Sequence, residues 1–73
     1  MSSEPTTFEL KGQPYIELNK LLKLLSLVES GAFAKQCIKD GEVMVNEAIE
    51  LQIRKKLRSG DVVDFAEHTI RIS

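Results

Sequence analysis

Residues 30–47 read SGAFAKQCIKDGEVMVNE, and within them the spacing of apolar side chains changes from a helical to an extended period. Ser30 is a candidate helix N-cap, because its hydroxyl can accept a hydrogen bond from a free N–H of the first turn. Behind it, Ala34, Cys37 and Ile38 form one apolar stripe at helical spacing. These residues predict a helix that runs to about residue 40.

Gly41 marks the change of period. Only glycine adopts the left-handed conformation of a helix C-cap at little cost, so Gly41 is expected to end the helix. Val43 and Val45 then alternate with their neighbours, which predicts a half-buried strand. Asn46 and Glu47 follow as a hairpin turn, but Glu47 tolerates a positive φ poorly and therefore favours a turn wider than two residues.

Other apolar periods extend the fold in both directions. Leu18, Leu21, Leu22 and Leu25 are spaced as one stripe and predict a first helix over residues 17–25. Short strands are predicted at residues 8–11, 49–53, 61–65 and 69–72, and the basic residues before the third of these are predicted as a loop. The predicted fold class is α+β, with two packed helices against a small twisted antiparallel sheet.

The length of the chain fits one small domain. It has 73 residues, of which 42% are hydrophobic, so it can bury one modest core. Residues 1–7 are polar and lack an apolar period, which predicts a flexible N-terminal tail. Residues 8–73 are predicted to form the single domain.

The composition argues against several classes of protein. The single cysteine, Cys37, can form neither an internal disulfide nor a thiolate cluster, and no His or Cys group is spaced with His68 to bind a metal. The acidic residues form no paired-carboxylate cluster, and no glycine-rich phosphate loop precedes a helix. We therefore expect a protein without catalytic activity, metal site or cofactor. A Cys37–His68 nucleophile–base pair stays open, although nothing in the sequence would orient such a base.

The cellular location follows from two features. A lone thiol and the lack of a signal peptide indicate the reducing cytoplasm. The longest apolar run is far shorter than the roughly 20 residues that span a bilayer, so no membrane partner is expected.

Positive charge is concentrated in two places, although the formal net charge of the chain is -1. The segment RKKLR, residues 54–58, carries four positive charges in five residues. Lys35 and Lys39 are four residues apart and share one exposed row of the second helix. Taken alone, such a run is often only a solvated loop, and two such lysines are often only the polar side of an amphipathic helix.

Residues 30–65 resemble the RNA-binding domain family named after ribosomal small-subunit protein four, also called the αL motif. In that family a Ser-Arg-x-x-Ala helix start is followed by Ile-x-x-Gly-x-Val-x-Val-Asn-Gly, a basic stretch and Gly-Asp-x-Val. The positions in register with this pattern are Ser30, Ala34, Ile38, Gly41, Val43, Val45, Asn46, Gly60, Asp61 and Val63. The chain departs from the pattern at Gly31, where the family has arginine, and at Glu47, where it has glycine. With the leucine-rich first helix included, the chain resembles small stand-alone bacterial members of this family.

The resemblance implies an RNA-binding surface in which the helix row and the basic loop lie side by side. The implied residues are Lys35, Lys39, Arg54, Lys55, Lys56 and Arg58. Lysine and arginine attract phosphate oxygens, and binding releases condensed counterions. A rigid helix and loop suit an A-form duplex, which is read by its shape and 2′-hydroxyls. We therefore expect a monomer that binds structured RNA, such as rRNA or a tRNA-like fold, with weaker or different binding where Gly31 replaces the arginine.

Other functions stay open. A protein-interaction adaptor would need no RNA, and Phe33 could contact such a partner, pack partly in the core, or stack on a base. Small sulfur-carrier proteins have a similar Val-Asn turn and Gly-Asp strand, but they need a C-terminal Gly-Gly, and this sequence ends TIRIS. Tyr15 is expected to pack at the entrance of the first helix.

Overall fold

The two helices form where the apolar stripes predict them. The structure is a computed structural model that describes residues 5–73. Helix α1 spans Leu18–Leu24 and helix α2 spans Gly31–Lys39. The Ser30 hydroxyl accepts a hydrogen bond of 3.2 Å from the backbone N–H of Phe33, which confirms the predicted N-cap. Gly41 has a φ of 77°, the left-handed conformation predicted for the residue that ends α2.

Seven short strands accompany the helices in residues 5–73. They are β1 (Thr6–Phe8), β2 (Ile16–Glu17), β3 (Val43–Val45), β4 (Ala48–Ile49), β5 (Lys56–Leu57), β6 (Val62–Phe65) and β7 (His68–Ile72). Five of them form one sheet in the order β1-β7-β6-β3-β4, and β2 pairs with β5 in a second, two-stranded sheet. Helices α1 and α2 pack against each other, and their buried residues share one apolar core with those of both sheets. The predicted α+β class is confirmed.

One strand pair differs from the antiparallel expectation. Strand β1 runs parallel to β7, with Thr6 beside Ile70 and Phe8 beside Ile72, so the five-stranded sheet is mixed. The whole domain lies between these strands in sequence, and such a long connection allows a parallel pair that a tight hairpin cannot make. Strand β1 also begins two residues before the predicted domain start at residue 8. Of the predicted tail, residues 1–4 lie outside the described residues.

The strand predicted over residues 49–53 is wrong beyond Ile49. Strand β4 ends there, Leu51 is 60% exposed, and the backbone N–H of Gln52 donates to the Glu50 carboxylate at 3.1 Å. This local hydrogen bond offers the backbone an alternative to the ladder, so the chain leaves the sheet. The alternating apolar residues, a reliable strand signal elsewhere in the chain, here continue past the end of the strand.

The hairpin turn at Asn46 and Glu47 is tight, and the wider turn that Glu47 was expected to favour is wrong. Val45 pairs directly with Ala48, so the loop has two residues, with φ values of 52° and 71°. Positive φ at both positions is characteristic of the two-residue turn whose twist matches that of antiparallel strands. The side chain of Asn46 stabilises this turn. Its amide donates to the Asp61 carboxylate at 3.1 Å, and its carbonyl accepts from the Val62 N–H at 3.0 Å.

Candidate nucleic-acid interface

The backbone of the basic run caps the first helix. The first N–H groups of an α-helix have no partner within the helix, and Glu17 provides no side-chain cap for α1. Instead, the N–H of Leu18 donates to the carbonyl of Lys55 at 2.9 Å, and the N–H of Asn19 donates to that of Ile53 at 3.1 Å. The run is therefore fixed against α1 and is not the free loop that the sequence predicts.

Strand β5 sets the direction of the basic side chains. It pairs antiparallel with β2, so that Ile16 lies beside Leu57 and Glu17 beside Lys56. Successive side chains of a strand point to opposite faces. Leu57 is fully buried, so Lys56 and Arg58 on either side of it point outward. Leu57 thus anchors β5 in the core, while the side chains of Lys56 and Arg58 on either side of it are exposed.

Tyr15 contacts both of these cations. The Nζ atom of Lys56 lies 5.0 Å from the centroid of the Tyr15 ring, and the Cζ atom of Arg58 lies 5.8 Å from it. Such cations are attracted electrostatically by the aromatic ring. The register of β2 and β5, continued by one residue, places Tyr15 across from Arg58. The ring thus orders two of the predicted RNA-binding residues, a role that sequence reasoning missed.

The turn after β5 fixes the backbone of Arg58. The Asp61 carboxylate accepts a hydrogen bond of 2.9 Å from the N–H of Arg58. The N–H of Asp61 donates to the Arg58 carbonyl at 3.0 Å, and Gly60 has a φ of 98°. These hydrogen bonds fix the backbone of Arg58, whose guanidinium lies beside the Tyr15 ring.

Lys35 and Lys39 occupy exposed positions on α2, as predicted. Helix α2 packs against α1, and the basic run is hydrogen-bonded to the start of α1. The structure therefore attaches both cationic elements to the same seven-residue helix. Arg54 is exposed and Lys55 is half-buried.

The charge of these six residues is not balanced by ion pairs within the described part of the chain. The ion pair found among residues 5–73 joins Lys20 to Glu17 at 3.9 Å. Glu17 lies beside Lys56 in the strand register, yet its carboxylate pairs with Lys20 on the next turn. In the described residues, Lys56 therefore has no carboxylate within ion-pair distance.

Gly31 leaves open space where the family pattern has arginine. A Cβ atom built at this position would meet no heavy atom within 4 Å. The missing side chain is therefore not excluded by packing. A larger residue fits at the start of α2, beside the row that contains Lys35.

Cys37 has the environment of a core residue. It is buried, and burial raises the pKa of its thiol above the ordinary value, with the negative charges of Glu42 and Asp40 adding to the shift. A thiol with a raised pKa stays protonated at neutral pH and is a poor nucleophile. His68 is exposed at the start of β7. The structure gives a Cys37–His68 pair no support.

Neither a metal site nor a membrane-spanning helix is found in residues 5–73. Residues 5–73 contain no group of three or more His, Cys, Asp or Glu side chains arranged to hold a metal ion. Within the same residues, no helix combines the length and apolar composition that crossing a bilayer requires.

Four large apolar side chains are exposed in the described part of the chain. They are Leu24 (64%), Phe33 (52%), Ile49 (61%) and Leu51 (60%). The half-exposure of Phe33 is compatible with all three expectations for it, namely partial packing, contact with a partner and stacking on a base. Ile49 lies in β4, an outer strand of the five-stranded sheet, and Leu51 follows two residues later.

Comparison with known proteins agrees with this fold. A family model described as "S4 domain" matches residues 8–73. The chain is 44% identical over 66 residues to the "Putative RNA-binding protein YbcJ" of Escherichia coli (strain K12), covering 90% of this chain and 94% of YbcJ. It is 39% identical over 50 residues to the "Probable ribosome maturation protein RlbA" of Bacillus subtilis (strain 168), covering 68% of this chain and 70% of RlbA.

A solved structure also matches. The solution structure of YbcJ from E. coli, described as having an αL motif involved in RNA binding, aligns with a TM-score of 0.72 and 42% identity. The alignment covers 99% of this chain and 91% of YbcJ. The resemblance found in residues 30–65, and the similarity to stand-alone bacterial members of the YbcJ type, are confirmed. The chain belongs to the S4 domain family.

Proposed function

We propose that this protein is a non-catalytic module that binds structured RNA, such as rRNA or a tRNA-like fold. The proposed contacts are Lys35, Lys39, Arg54, Lys55, Lys56 and Arg58. The observation that carries the proposal is the pair Lys56 and Arg58, which lie at 5.0 Å and 5.8 Å from one tyrosine ring without an ion pair in the described residues. The names given to YbcJ and RlbA support RNA, and ribosomal RNA in particular, as the partner.

Ordered cations suit phosphate binding for an entropic reason. A lysine or arginine that becomes fixed on binding loses up to about 2 kcal/mol of side-chain entropy. The ring of Tyr15 and the backbone bonds at Lys55 and Arg58 already restrict this part of the surface. More of the attraction to phosphate is then available as binding free energy.

The rest of the chain favours one orientation on RNA. Outside the six proposed contacts it carries four basic and eleven acidic side chains. Such an uneven field attracts a polyanion to one face and repels it from the others. We propose that the protein acts as a monomer in the cytoplasm, with its basic face toward the RNA.

The test is an amide chemical-shift titration with a short stem-loop RNA at low salt. We expect the largest shifts at residues 35, 39 and 54–58, and we expect them to decrease as salt is added. If about four phosphates are engaged, log K should fall against log salt with a slope near -3. Replacing Lys23, an exposed lysine of α1 outside the proposed surface, with Gln should leave this slope unchanged. Absence of binding at low salt by a folded protein would contradict the proposal.

A protein-interaction role is a second candidate, favoured by Ile49 and Leu51. Both are more than half exposed, and the outer strand β4 leaves backbone groups unpaired at the edge of the sheet. The test is a complex that survives nuclease treatment. It should be lost when both residues are replaced with Ser, while RNA binding stays unchanged. A complex that disappears with nuclease would instead be mediated by RNA.

A further inference from the structure

An open groove of about 370 Å³ begins at Tyr15, the residue that orders Lys56 and Arg58. Its apolar lining includes Pro14, Ile16 and Leu24, and its polar lining includes Gln13, Glu17 and Lys20. Leu24 is 64% exposed, the largest fraction among the four large exposed apolar side chains of the described residues. The Tyr15 ring thus connects a partly apolar groove to the cationic surface.

We propose that this groove binds one unpaired RNA base, with the neighbouring phosphates held by Lys56 and Arg58. This inference rests on the proposed function and adds to it a preference for RNA that carries an unpaired nucleotide beside a duplex. Tyr15 would contact the base through its ring, and Leu24 would cover it from the helix side.

The size and lining of the groove support a single base. Sites for small molecules are commonly 300–1,000 Å³, lined mainly by apolar side chains with a few polar groups that fix orientation. A groove of about 370 Å³ is at the lower end of this range, so it holds one nucleotide and not a folded segment. Gln13 offers both a donor and an acceptor for a base edge, and Glu17 offers an acceptor.

The charges beside the groove favour a nucleotide over an uncharged ligand. Lys56, in β5, and Arg58, the residue that follows β5, are both exposed on either side of buried Leu57, and in the described residues neither is paired with a carboxylate. A base is covalently joined to a phosphate on each side, so a base in the groove brings anionic groups to these cations. An acidic ligand without a flat apolar part would leave the groove unfilled.

Pairing state decides whether a base can enter. A base inside an A-form duplex is stacked and paired, whereas bulges and loops expose bases that can contact aromatic side chains. The duplex can still bind through its phosphates. The groove therefore adds affinity only where the RNA has an unpaired nucleotide.

The experiment compares two hairpin RNAs that differ by a single bulged nucleotide in the stem. Contact between a base and an aromatic side chain is worth about 1–3 kcal/mol, so we expect the wild-type protein to bind the bulged RNA about fivefold to 150-fold more tightly. Leu24→Gln and Tyr15→Leu should each reduce this ratio toward one. Tyr15→Phe, which keeps the ring, should preserve it. Amide spectra confirm that each variant is folded.

Phe33→Gln is the matched control. Phe33 is 52% exposed but does not line the groove, so its loss should leave the ratio unchanged. Equal binding of both RNAs by the wild type would overturn the groove and leave the proposed function intact. A ratio that survives Leu24→Gln and Tyr15→Leu, or that is lost in Phe33→Gln, would also overturn it. Failure of the wild type to bind either RNA would contradict the proposed function itself.

Discussion

The two cationic elements of this domain, the lysines of α2 and the basic run at residues 54–58, are positioned in different ways. Lys35 and Lys39 are placed by the repeat of one helix, and among the described residues neither forms an ion pair or a cation–π contact. Lys56 and Arg58 are placed by tertiary structure, through the pairing of β5 with β2 and the ring of Tyr15. Side chains that carry the same charge in this protein therefore differ in the conformational freedom that they retain.

This difference has an energetic meaning for RNA binding. Immobilising a rotamer-rich side chain at an interface costs about 0.5–1.5 kcal/mol. The lysines of α2 are expected to incur this cost in full, whereas the cations at Tyr15 are already restricted. In return, the cations at Tyr15 depend on the folding of the whole domain, and those of α2 depend mainly on a helix.

The largest expected effect is on the anchor of the strand. Leu57 is fully buried between Lys56 and Arg58, so Leu57→Ala should lower the free energy of unfolding by about 2–5 kcal/mol. Urea denaturation measures the change. Leu51→Ala is the matched control, because Leu51 is 60% exposed and its loss should change stability by no more than about 0.5 kcal/mol. Equal losses in the two variants would show that β5 is not anchored by Leu57.

Paired charge removals compare the two elements directly. The double variant Lys56→Gln with Arg58→Gln should weaken RNA binding by at least about 1 kcal/mol more than Lys35→Gln with Lys39→Gln, because its cations are ordered beforehand. Each lost phosphate contact should also reduce the salt slope by about one. Binding assays over a range of salt concentrations measure both quantities. A greater loss in the α2 pair would reverse the comparison.

Gly31→Arg tests the comparison by adding a positive charge to α2, the element expected to bind RNA more weakly. The open space at Gly31 admits a side chain, and a new cation at the start of α2 should raise RNA affinity by about 1 kcal/mol and the salt slope by about one. Gly31→Gln separates the effect of charge from that of side-chain size and helix propensity. Similar affinities for the two variants would mean that this position does not approach a phosphate.

The hairpin turn tests whether a change outside both elements stays local. Glu47 has a φ of 71°, a left-handed conformation that costs a residue with a Cβ roughly 1–2 kcal/mol. Glu47→Gly should therefore stabilise the fold by about 1 kcal/mol, as measured by denaturation, without changing RNA binding. In contrast, Ala32→Gly within α2 should lower stability by roughly 0.5–1 kcal/mol. A loss of stability in Glu47→Gly would contradict the strain at this turn.

The smallest effect concerns the buried side of α2, opposite its lysines. The pKa of the Cys37 thiol is raised in the folded state, so the folded protein keeps this proton where the unfolded chain has lost it. Stability from this group is therefore fully present below the ordinary thiol pKa of 9.0 and decreases as the pH rises above it. The difference in stability between wild type and Cys37→Ala should be constant at lower pH and change only in that alkaline range. Parallel pH profiles of the two proteins would contradict the shift.

Local signals in the sequence predicted the helices well. Ser30 and Gly41 mark the two ends of α2, and both act as their chemistry predicts. The leucine stripe likewise identifies α1, whose observed bounds lie within one residue of those predicted. These elements are predictable because their boundaries depend on residues close to them in the chain.

The contacts that arrange the candidate interface have no comparable local signal in the sequence. Strands β2 and β5 have two residues each, too few to show an alternating pattern, and about forty residues separate them. The meeting of Tyr15 with Lys56 and Arg58 follows from that pairing alone. The sequence thus identifies which residues are cationic, whereas long-range pairing decides which of them are held by an aromatic ring.

The parallel pairing of β1 with β7 brings distant parts of the chain together. The N–H of Leu10 donates to the carbonyl of Ser73 at 2.9 Å, and the N–H of Ser73 donates to that of Phe8 at 2.8 Å. Closing this contact requires ordering nearly the whole chain, so it is expected to form late in folding.

The same pairing brings the two ends of the described chain close together. Thr6 lies beside Ile70, three residues before Ser73, so the chain enters and leaves through neighbouring strands, at opposite ends of the parallel pair. Domains with adjacent termini tolerate circular permutation and insertion into other proteins. This domain is thus suited to insertion into a loop of another protein, provided that a linker spans the length of strand between Thr6 and Ser73.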